Sequence, residues 1–498
     1  MALLIAPRII RLAHPQVWIE DESYLSGSLM LAQGFLPYRD FPLPHFPLLE
    51  AMLAAVFRVA GASIRSAEVF TQTAAFAGSL LVLALGRRID GVVTGVAAAL
   101  VFSTSALLFR YHLFEREVFV VVPVLAAVLL ASRETGDRLE STKRAAAIGL
   151  LLFAALAIKL TAIAGLAAVA LHLHIERRSR SAVIVLACAL GALGAFAAIL
   201  AAAFGTNFIV QVFLFRAVHA AFPSLGVKLD ELRLTMDVSL AAGAAGIVLI
   251  LWTGRTRQWK MILLQLGSGF VVLVLLNPTY WAHTGIELLP WLSLAAGFLI
   301  AHALPALVPG LRANRSTQRA PAIVCAFIAV LLITFVAPIE NLNWQAGDGS
   351  PLGFGYRDRA ELEKVGRYVR DHSAPEDLVV VPPMLAFVAN RRELVPYLEL
   401  AGLVDDLQEA VRSRGYLAAL GDSNLRFGSF WEGVDASRAR EAPRIATAIR
   451  QRRVRVVIND SPDDLMPFLL IDVPAATLVD SAYSLELATA HYDVWLRR

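Results

Sequence analysis

The chain has 498 residues, 57% of them hydrophobic and only 17% charged, with a net charge of +4 and a mean hydropathy of +0.62. An ordinary soluble domain carries roughly 25% charged residues, so this composition excludes one and, with its many long apolar runs, describes a multi-span membrane protein. Cys188 and Cys325 both fall inside apolar runs and read as packing residues rather than a disulfide.

Residues 1–17 open the chain as a short apolar stretch carrying Arg8, Arg11 and His14. No small-residue cleavage pattern follows it, so no cleavable signal peptide is expected. Residues 18–50 follow, reading WIEDESYLSGSLMLAQGFLPYRDFPLPHFPLLE. They hold the adjacent carboxylates Asp21 and Glu22, then Tyr24, then a turn signal at 34–40 with Tyr38, Arg39 and Asp40. Residues 46–60 would make a helix only about 22 Å long. They carry Glu50 and Arg58 behind a run of prolines, which fits an interfacial amphipathic helix better than a span.

Eleven candidate spans are expected at about 1–17, 67–86, 89–108, 117–131, 145–159, 160–175, 182–204, 236–252, 259–276, 285–304 and 320–338. The basic residues test this count. They gather in the loops at 86–90, 132–144, 176–181, 253–260 and 311–319. With these spans all five loops fall on one side, which the positive-inside rule makes the cytoplasm. The loops at 18–65, 109–116, 205–235 and 277–284 then face outward, as does everything after 340. Counting 46–60 as a span would break that pattern. After Pro338 the composition becomes charged and rich in Pro and Gly. Residues 340–498 read as a soluble α/β domain, with helices at 357–371 and 437–452 and buried strands at 378–381 and 454–458.

The residues able to do chemistry collect in the outward loops. Asp21 and Glu22 are either solvated carboxylates at a helix end or a partly desolvated pair suited to general base work. The second outward loop, FRYHLFERE, places Arg110, His112, Glu115, Arg116 and Glu117 at the membrane edge, where charges are costly unless used. Lys159, between apolar stretches, either snorkels from a helix end or holds an anionic lipid head group. The stretch NPTYWAHTGIELLP adds Tyr280, Trp281, His283 and Glu287, where an aromatic belt is also expected. No P-loop, HExxH motif or Rossmann fingerprint is present, and there are no internal repeats.

Taken together, Asp21-Glu22, GFLPYRDFPLPHFPLLE, Lys159 ending an Ala/Leu-rich helix, and WAHTGIELLPWLSLAAG resemble the GT-C superfamily of polyprenyl-phosphate-sugar-dependent glycosyltransferases. The likeness is to the protein O-mannosyltransferase and lipid A aminoarabinose transferase branches, and it covers about 1–340. Tyr280 precedes His283, where the family's corresponding stretch has the reverse order, and no WWDYG motif is found. The resemblance implies a polytopic α-helical GT-C domain at 1–339, with about 11 spans plus an interfacial helix, and an extracytoplasmic α/β domain at 340–498. It implies a multi-pass plasma (inner) membrane enzyme of the cell envelope, with its active site outside the cytoplasm. Its reaction would be inverting hexosyl or pentosyl transfer from a polyprenyl-phosphate-linked sugar to a hydroxyl on a lipid, glycan or protein acceptor. Asp21 would be the base and Glu22 its orienting partner. Lys159, Arg110, Arg116 and His283 would bind the donor phosphate, and Tyr24, Tyr38, Arg39, Asp40 and Glu115 would line the acceptor side. No cofactor is required. A divalent metal is possible, since Asp21, Glu22 and Glu115 could ligate one, but nothing requires it. Membrane lipid is a partner and nucleic acid is not. The competing reading is a multi-span lipid or sugar transporter or flippase without transferase chemistry, for which internal repeats and midplane charges would be expected.

Overall fold

The structure, a computed structural model, describes residues 2–13, 16–19, 22–105, 107–108, 113–132, 138–215, 224–277, 282–307, 355–396, 398–416, 418, 430–460, 473, 475–489 and 492–498. The chain divides into two compact units, each discontinuous in sequence. One comprises Met1–Ala13, Thr71–Ala197 and Pro223–Gly347; the other comprises His14–Phe70, Ala198–Phe222 and Asp348–Arg498. The expected boundary near 340 and the expected span at 320–338 lie outside the described residues.

The opening stretch corrects the sequence reading. It is helical only over Ala2–Ala13 (α1), and a strand, β1, begins at Gln16 and ends at Ile19. In the sequence Pro15 follows, and proline disfavours helix in the residue before it. Twelve residues reach about 18 Å, short of the roughly 30 Å hydrocarbon core. Residues 1–17 therefore do not form a helix of spanning length. Arg8 and Arg11 are both buried, and Arg8 donates to Gln72 Oε1 at 3.1 Å.

The chain continues through α2 (Glu22–Ala32), α3 (Leu48–Ala60), α4 (Ile64–Ile89), α5 (Val92–Ser103), α6 (Arg116–Ala131), α7 (Arg138–Ile158), α8 (Ile163–Ile175), α9 (Ser179–Phe204), α10 (Leu225–Trp252), α11 (Thr256–Gly269) and α12 (Leu289–Leu307). Four helical stretches among the described residues, Ile64–Ile89, Glu140–Ile158, Ser179–Phe204 and Thr256–Leu276, are long and apolar enough to cross a bilayer. Val92–Ser103, Leu160–Ile175, Ser239–Trp252 and Leu289–Ala303 are apolar but shorter.

Within the first unit, α12 packs against both α10 and α5, α6 against α7, and α8 against α11. Small residues allow the close approach, as they do between helices in lipid, where packing replaces the hydrophobic drive. A Cβ on Gly246 of α10 would come 2.0 Å from the carbonyl oxygen of Ala295 in α12, so only glycine fits there. Beyond Gly269, α11 continues as a π-helix over Phe270–Leu276. Lys228 closes the end of that helix, donating to the carbonyls of Val274 (3.0 Å) and Asn277 (2.6 Å). A cation there meets both the leftover acceptors and the negative end of the helix dipole.

One end of this unit gathers four of the five basic loops. Arg88 donates to the Ser132 carbonyl, Arg178 to that of Ala131, and Lys260 to Glu176. Asp90, whose side chain is 3% exposed, accepts from Thr94 at 2.5 Å, from Arg255 at 2.6 Å and from His302 at 2.7 Å. Hydrogen bonds thus tie together the loops that the charge pattern placed on one side. The fifth, at 311–319, lies outside the described residues.

The second unit has an α/β sheet built from β3 (Leu378–Val380), β4 (Arg392–Glu393), β5 (Val454–Asp460), β6 (Tyr483–Ala488) and β7 (Tyr492–Arg497), in the order β4-β3-β5-β7-β6. The β3 strand runs parallel to β4 and β5, and β7 runs antiparallel to β5 and β6. Val380, Ile449, Val454, Val457, Leu478 and Tyr483 share its core. Its helices include α13 (Arg359–Asp371), α14 (Pro383–Ala389), α15 (Leu398–Arg414) and α16 (Phe430–Arg450). The expected helices and strands are present, with 357–358 in a strand rather than the helix and 437–450 in the longer α16.

The first loop is part of this same unit. The short strand β2 (Gly355–Asp358) pairs antiparallel with β1, Gln16 opposite Asp358 and Ile19 opposite Gly355. Helix α2 packs on α3 and on α14. The segment at 46–60 forms α3, a helix of 13 residues that buries Leu49, Glu50, Leu53, Ala54 and Phe57 along one face. That spacing is the amphipathic pattern the sequence shows.

Candidate functional site

The first unit brings the second outward loop, Lys159 and the 282–287 stretch into one buried polar cluster. Glu115 precedes α6, and Arg116 and Glu117 occupy its first turn. Lys159 ends α7, its backbone already extended, and leads into a 3-10 turn over Leu160–Ala162. His283 and Glu287 sit on a second 3-10 turn, Ala282–Glu287, just before α12. Lys159 Nζ is hydrogen-bonded to Glu117 Oε1, and the two side chains are 11% and 1% exposed. His283 Nε2 lies 3.5 Å from the same oxygen, and its Nδ1 lies 4.0 Å from Glu115 Oε2. Glu287 accepts from Thr161 Oγ1 at 2.6 Å. Arg116 Nη1 donates at 3.2 Å to the carbonyl of Ile158, one residue before Lys159. The loop is held at its other side by Thr71, whose Oγ1 accepts from the Phe114 N–H at 3.0 Å. Phe114 takes a left-handed φ of 78° there.

Two chemical capacities follow. Three carboxylates face one ammonium and one imidazole, in a setting where charge separation is expensive and any exchange of partners is strongly coupled. In addition, one donor atom each from Glu115, Glu117 and His283 lies within 4.8 Å of the others. Two carboxylate oxygens with an imidazole nitrogen suit a divalent ion such as zinc or manganese. Among the described residues this set differs from the one expected from sequence: Glu115 is grouped with Glu117 and His283. Lys159 already bonds Oε1 of the Glu117 carboxylate in this set.

The expected site residues Glu22, Tyr24, Tyr38, Arg39 and Asp40 belong to the second unit. Glu22 opens α2. Tyr24 hydrogen-bonds His45 Nε2 at 2.8 Å, with the two rings edge-on. Tyr38 sits at a left-handed φ of 65° and donates its hydroxyl to the His45 carbonyl at 2.6 Å, so this tyrosine shapes the loop interior. Asp40 accepts from Arg39 and from the Leu36 N–H, and the Arg39 guanidinium holds its carboxyl below the usual carboxylate range. Asp21 and Arg110 lie outside the described residues. Sequence reasoning left Glu117, Glu287 and Thr161 off the expected site, although both carboxylates stood in charged stretches it had singled out. It gave no role to His45.

No protein-family model matches the sequence, and no curated protein matches it. Solved structures do match in shape. ArnT from Cupriavidus metallidurans bound to undecaprenyl phosphate superposes with a TM-score of 0.62 at 13% identity, over 99% of this chain and 96% of that one. Apo ArnT from the same organism gives 0.65 at 12%, over the same shares. The chain has the GT-C fold. Another GT-C structure, the archaeal oligosaccharyltransferase AglB from Archaeoglobus fulgidus in complex with an inhibitory peptide and a dolichol-phosphate, matches at 0.50 and 12% identity, over 92% of this chain and 69% of that one. At these identities the likeness is one of fold.

Proposed function

We propose that the protein is a glycosyltransferase that moves a sugar from a polyprenyl-phosphate-linked donor to an acceptor hydroxyl on the outer face of the plasma membrane. The observation that carries this reading is the buried cluster of Lys159, Glu117, His283 and Glu287, on a fold shared with a protein whose structure holds undecaprenyl phosphate. A cation kept in low dielectric beside exchangeable carboxylates is what an anionic lipid phosphate needs. A transporter reading has no comparable support.

The reaction is a single displacement. The acceptor hydroxyl gives its proton to the Asp21 carboxylate while its oxygen forms a bond to the anomeric carbon. The bond from that carbon to the phosphate oxygen breaks with its electron pair, so the configuration inverts. The leaving polyprenyl phosphate is already anionic and needs cations rather than a general acid. Lys159, Arg110, Arg116 and His283 stabilise the charge growing on it. Glu22 orients Asp21 or the acceptor, and Tyr24, Tyr38, Arg39, Asp40 and Glu115 belong to the acceptor side. A divalent ion held by Glu115, Glu117 and His283 would supply further positive charge to the phosphate, and it would free Lys159 from Glu117. Residues 1–339 form the membrane part in this reading, and 340–498 stand outside the cytoplasm.

The test is Asp21→Asn in membranes supplied with labelled undecaprenyl-phosphate sugars. Loss of a positioned base lowers transfer by roughly 10²–10⁴-fold while undecaprenyl phosphate still binds. Normal transfer by the variant refutes the assignment of the base.

A further inference from the structure

Helix α4 is long and apolar enough to cross a bilayer and carries two adjacent arginines, Arg87 and Arg88, in its last turn. Leu80, Leu83, Ala84, Arg87 and Arg88 line an open groove of about 340 Å³. They recur every three or four positions, so they share one face of the helix. The three apolar residues are half-buried and both arginines are exposed. Arg88 Nη2 donates at 3.0 Å to the carbonyl of Ser132, just past the end of α6. Other basic side chains at this end of the unit are matched by acids: Arg255 by Asp90, and Lys260 by Glu176. Among the described residues no carboxylate pairs with Arg87 or Arg88. The negative end of the helix dipole favours cations there, but it does not account for leucines lining the same open groove.

We propose that this groove binds an anionic phospholipid of the membrane leaflet at the basic end of the unit. The two guanidiniums take the phosphate, since hydrogen bonds between ionised partners are the strong ones. Leu80, Leu83 and Ala84 carry the first part of an acyl chain. A phosphate free in solution would leave that apolar wall uncovered, and a zwitterionic lipid would bring its own cation towards the arginines. An anionic lipid matches both halves, as it does in basic pockets between spanning helices. The groove is also remote from the donor cluster. Glu117 stands in the first turn of α6 and Ser132 just past its last, and the 16 residues of that helix span about 24 Å. The site therefore does not depend on the reaction proposed above.

The experiment uses the full-length protein in detergent, titrated with phosphatidylglycerol or phosphatidylcholine, with retained lipid read by native mass spectrometry. Phosphatidylglycerol is expected to bind saturably and about 10-fold or more tightly than phosphatidylcholine, on the scale of two basic contacts. Each arginine is worth roughly five-fold in affinity. Arg87→Gln should therefore weaken phosphatidylglycerol about five-fold, and Arg87→Gln with Arg88→Gln about 25-fold. Arg257→Gln, exposed at the same end but outside the groove, should leave its affinity near that of the parent. Leu83→Ser keeps both charges; it should weaken the lipid and preserve the preference for phosphatidylglycerol. Arg87→Gln breaks no hydrogen bond among the described residues, so it reads the site even where the double variant fails to fold. Equal retention of the two lipids overturns the proposal. So does an Arg87→Gln protein that binds phosphatidylglycerol no more weakly than Arg257→Gln does. Displacement of the lipid by inorganic phosphate at comparable concentration marks a site for soluble anions and overturns it as well.

Discussion

Replacing Lys159 by methionine separates what this residue does for the fold from what it does for the donor. Glu117 is 1% exposed and shares its Oε1 with Lys159. Methionine keeps the length of the side chain and removes the charge, leaving a carboxylate in low dielectric. Breaking a buried pair from one side costs roughly 3–5 kcal/mol. Two features of the site place the expected loss near the lower end. Lys159 is 11% exposed, so water screens part of the pair, and His283 Nε2 stands 3.5 Å from the same carboxylate oxygen. For a chain of this size that is a fall on the order of 3 °C in the unfolding midpoint. The assay is thermal unfolding of detergent-solubilised protein at one fixed scan rate, because large membrane proteins unfold irreversibly. Adding Glu117→Gln removes the stranded charge, and the double variant should regain most of the lost midpoint. Its use of lipid-linked donor should stay low. A Lys159→Met protein that melts with the parent, or a double variant no more stable than the single one, would refute the pair as a buried counter-ion arrangement.

Other substitutions test the packing of the same unit. Gly246→Leu should prevent a monodisperse folded protein, since even the first added carbon meets the Ala295 carbonyl at 2.0 Å, whereas Gly191→Leu on α9, with nothing within 4 Å, should be tolerated; chromatography of the solubilised variants decides. Asp90→Ala removes the acceptor shared by Thr94, Arg255 and His302 and should lower stability by roughly 1–3 kcal/mol. Glu176→Gln, at an exposed pair with Lys260, should stay within about 1 kcal/mol of the parent; equal midpoints for the two variants would refute the distinction.

The apolar helices and the gathering of the basic loops at one end were legible because both rest on composition. Apolar runs mark spans, and arginines and lysines mark one face. The bonds from Arg88, Arg178, Lys260 and Arg255 show how directly that pattern becomes geometry. The strands at 378 and 454 were legible for the same reason, as short β-branched runs between turn signals. The partner choices were not. Lys159 could equally have snorkelled, and nothing local says that it meets a glutamate 42 positions earlier. The pairing of β1 with β2 was hidden as well, because QVWI reads as the tail of a hydrophobic start until Pro15 is given its full weight as a helix stop. The helix of 1–17 ends at Ala13, and a strand follows from Gln16.

The β1–β2 pairing also sets an order of events during synthesis. Ile19 and its partner Gly355 are separated by 336 positions (355 − 19). At about 5–20 residues per second, β1 emerges many seconds before the strand it pairs with exists. Throughout that interval it is an open edge, the kind of surface that recruits wrong partners. Chains stopped before residue 355 carry β1 without its partner strand, so this pairing is completed only near the end of translation. A nascent protein of this design holds that edge open until it is nearly whole.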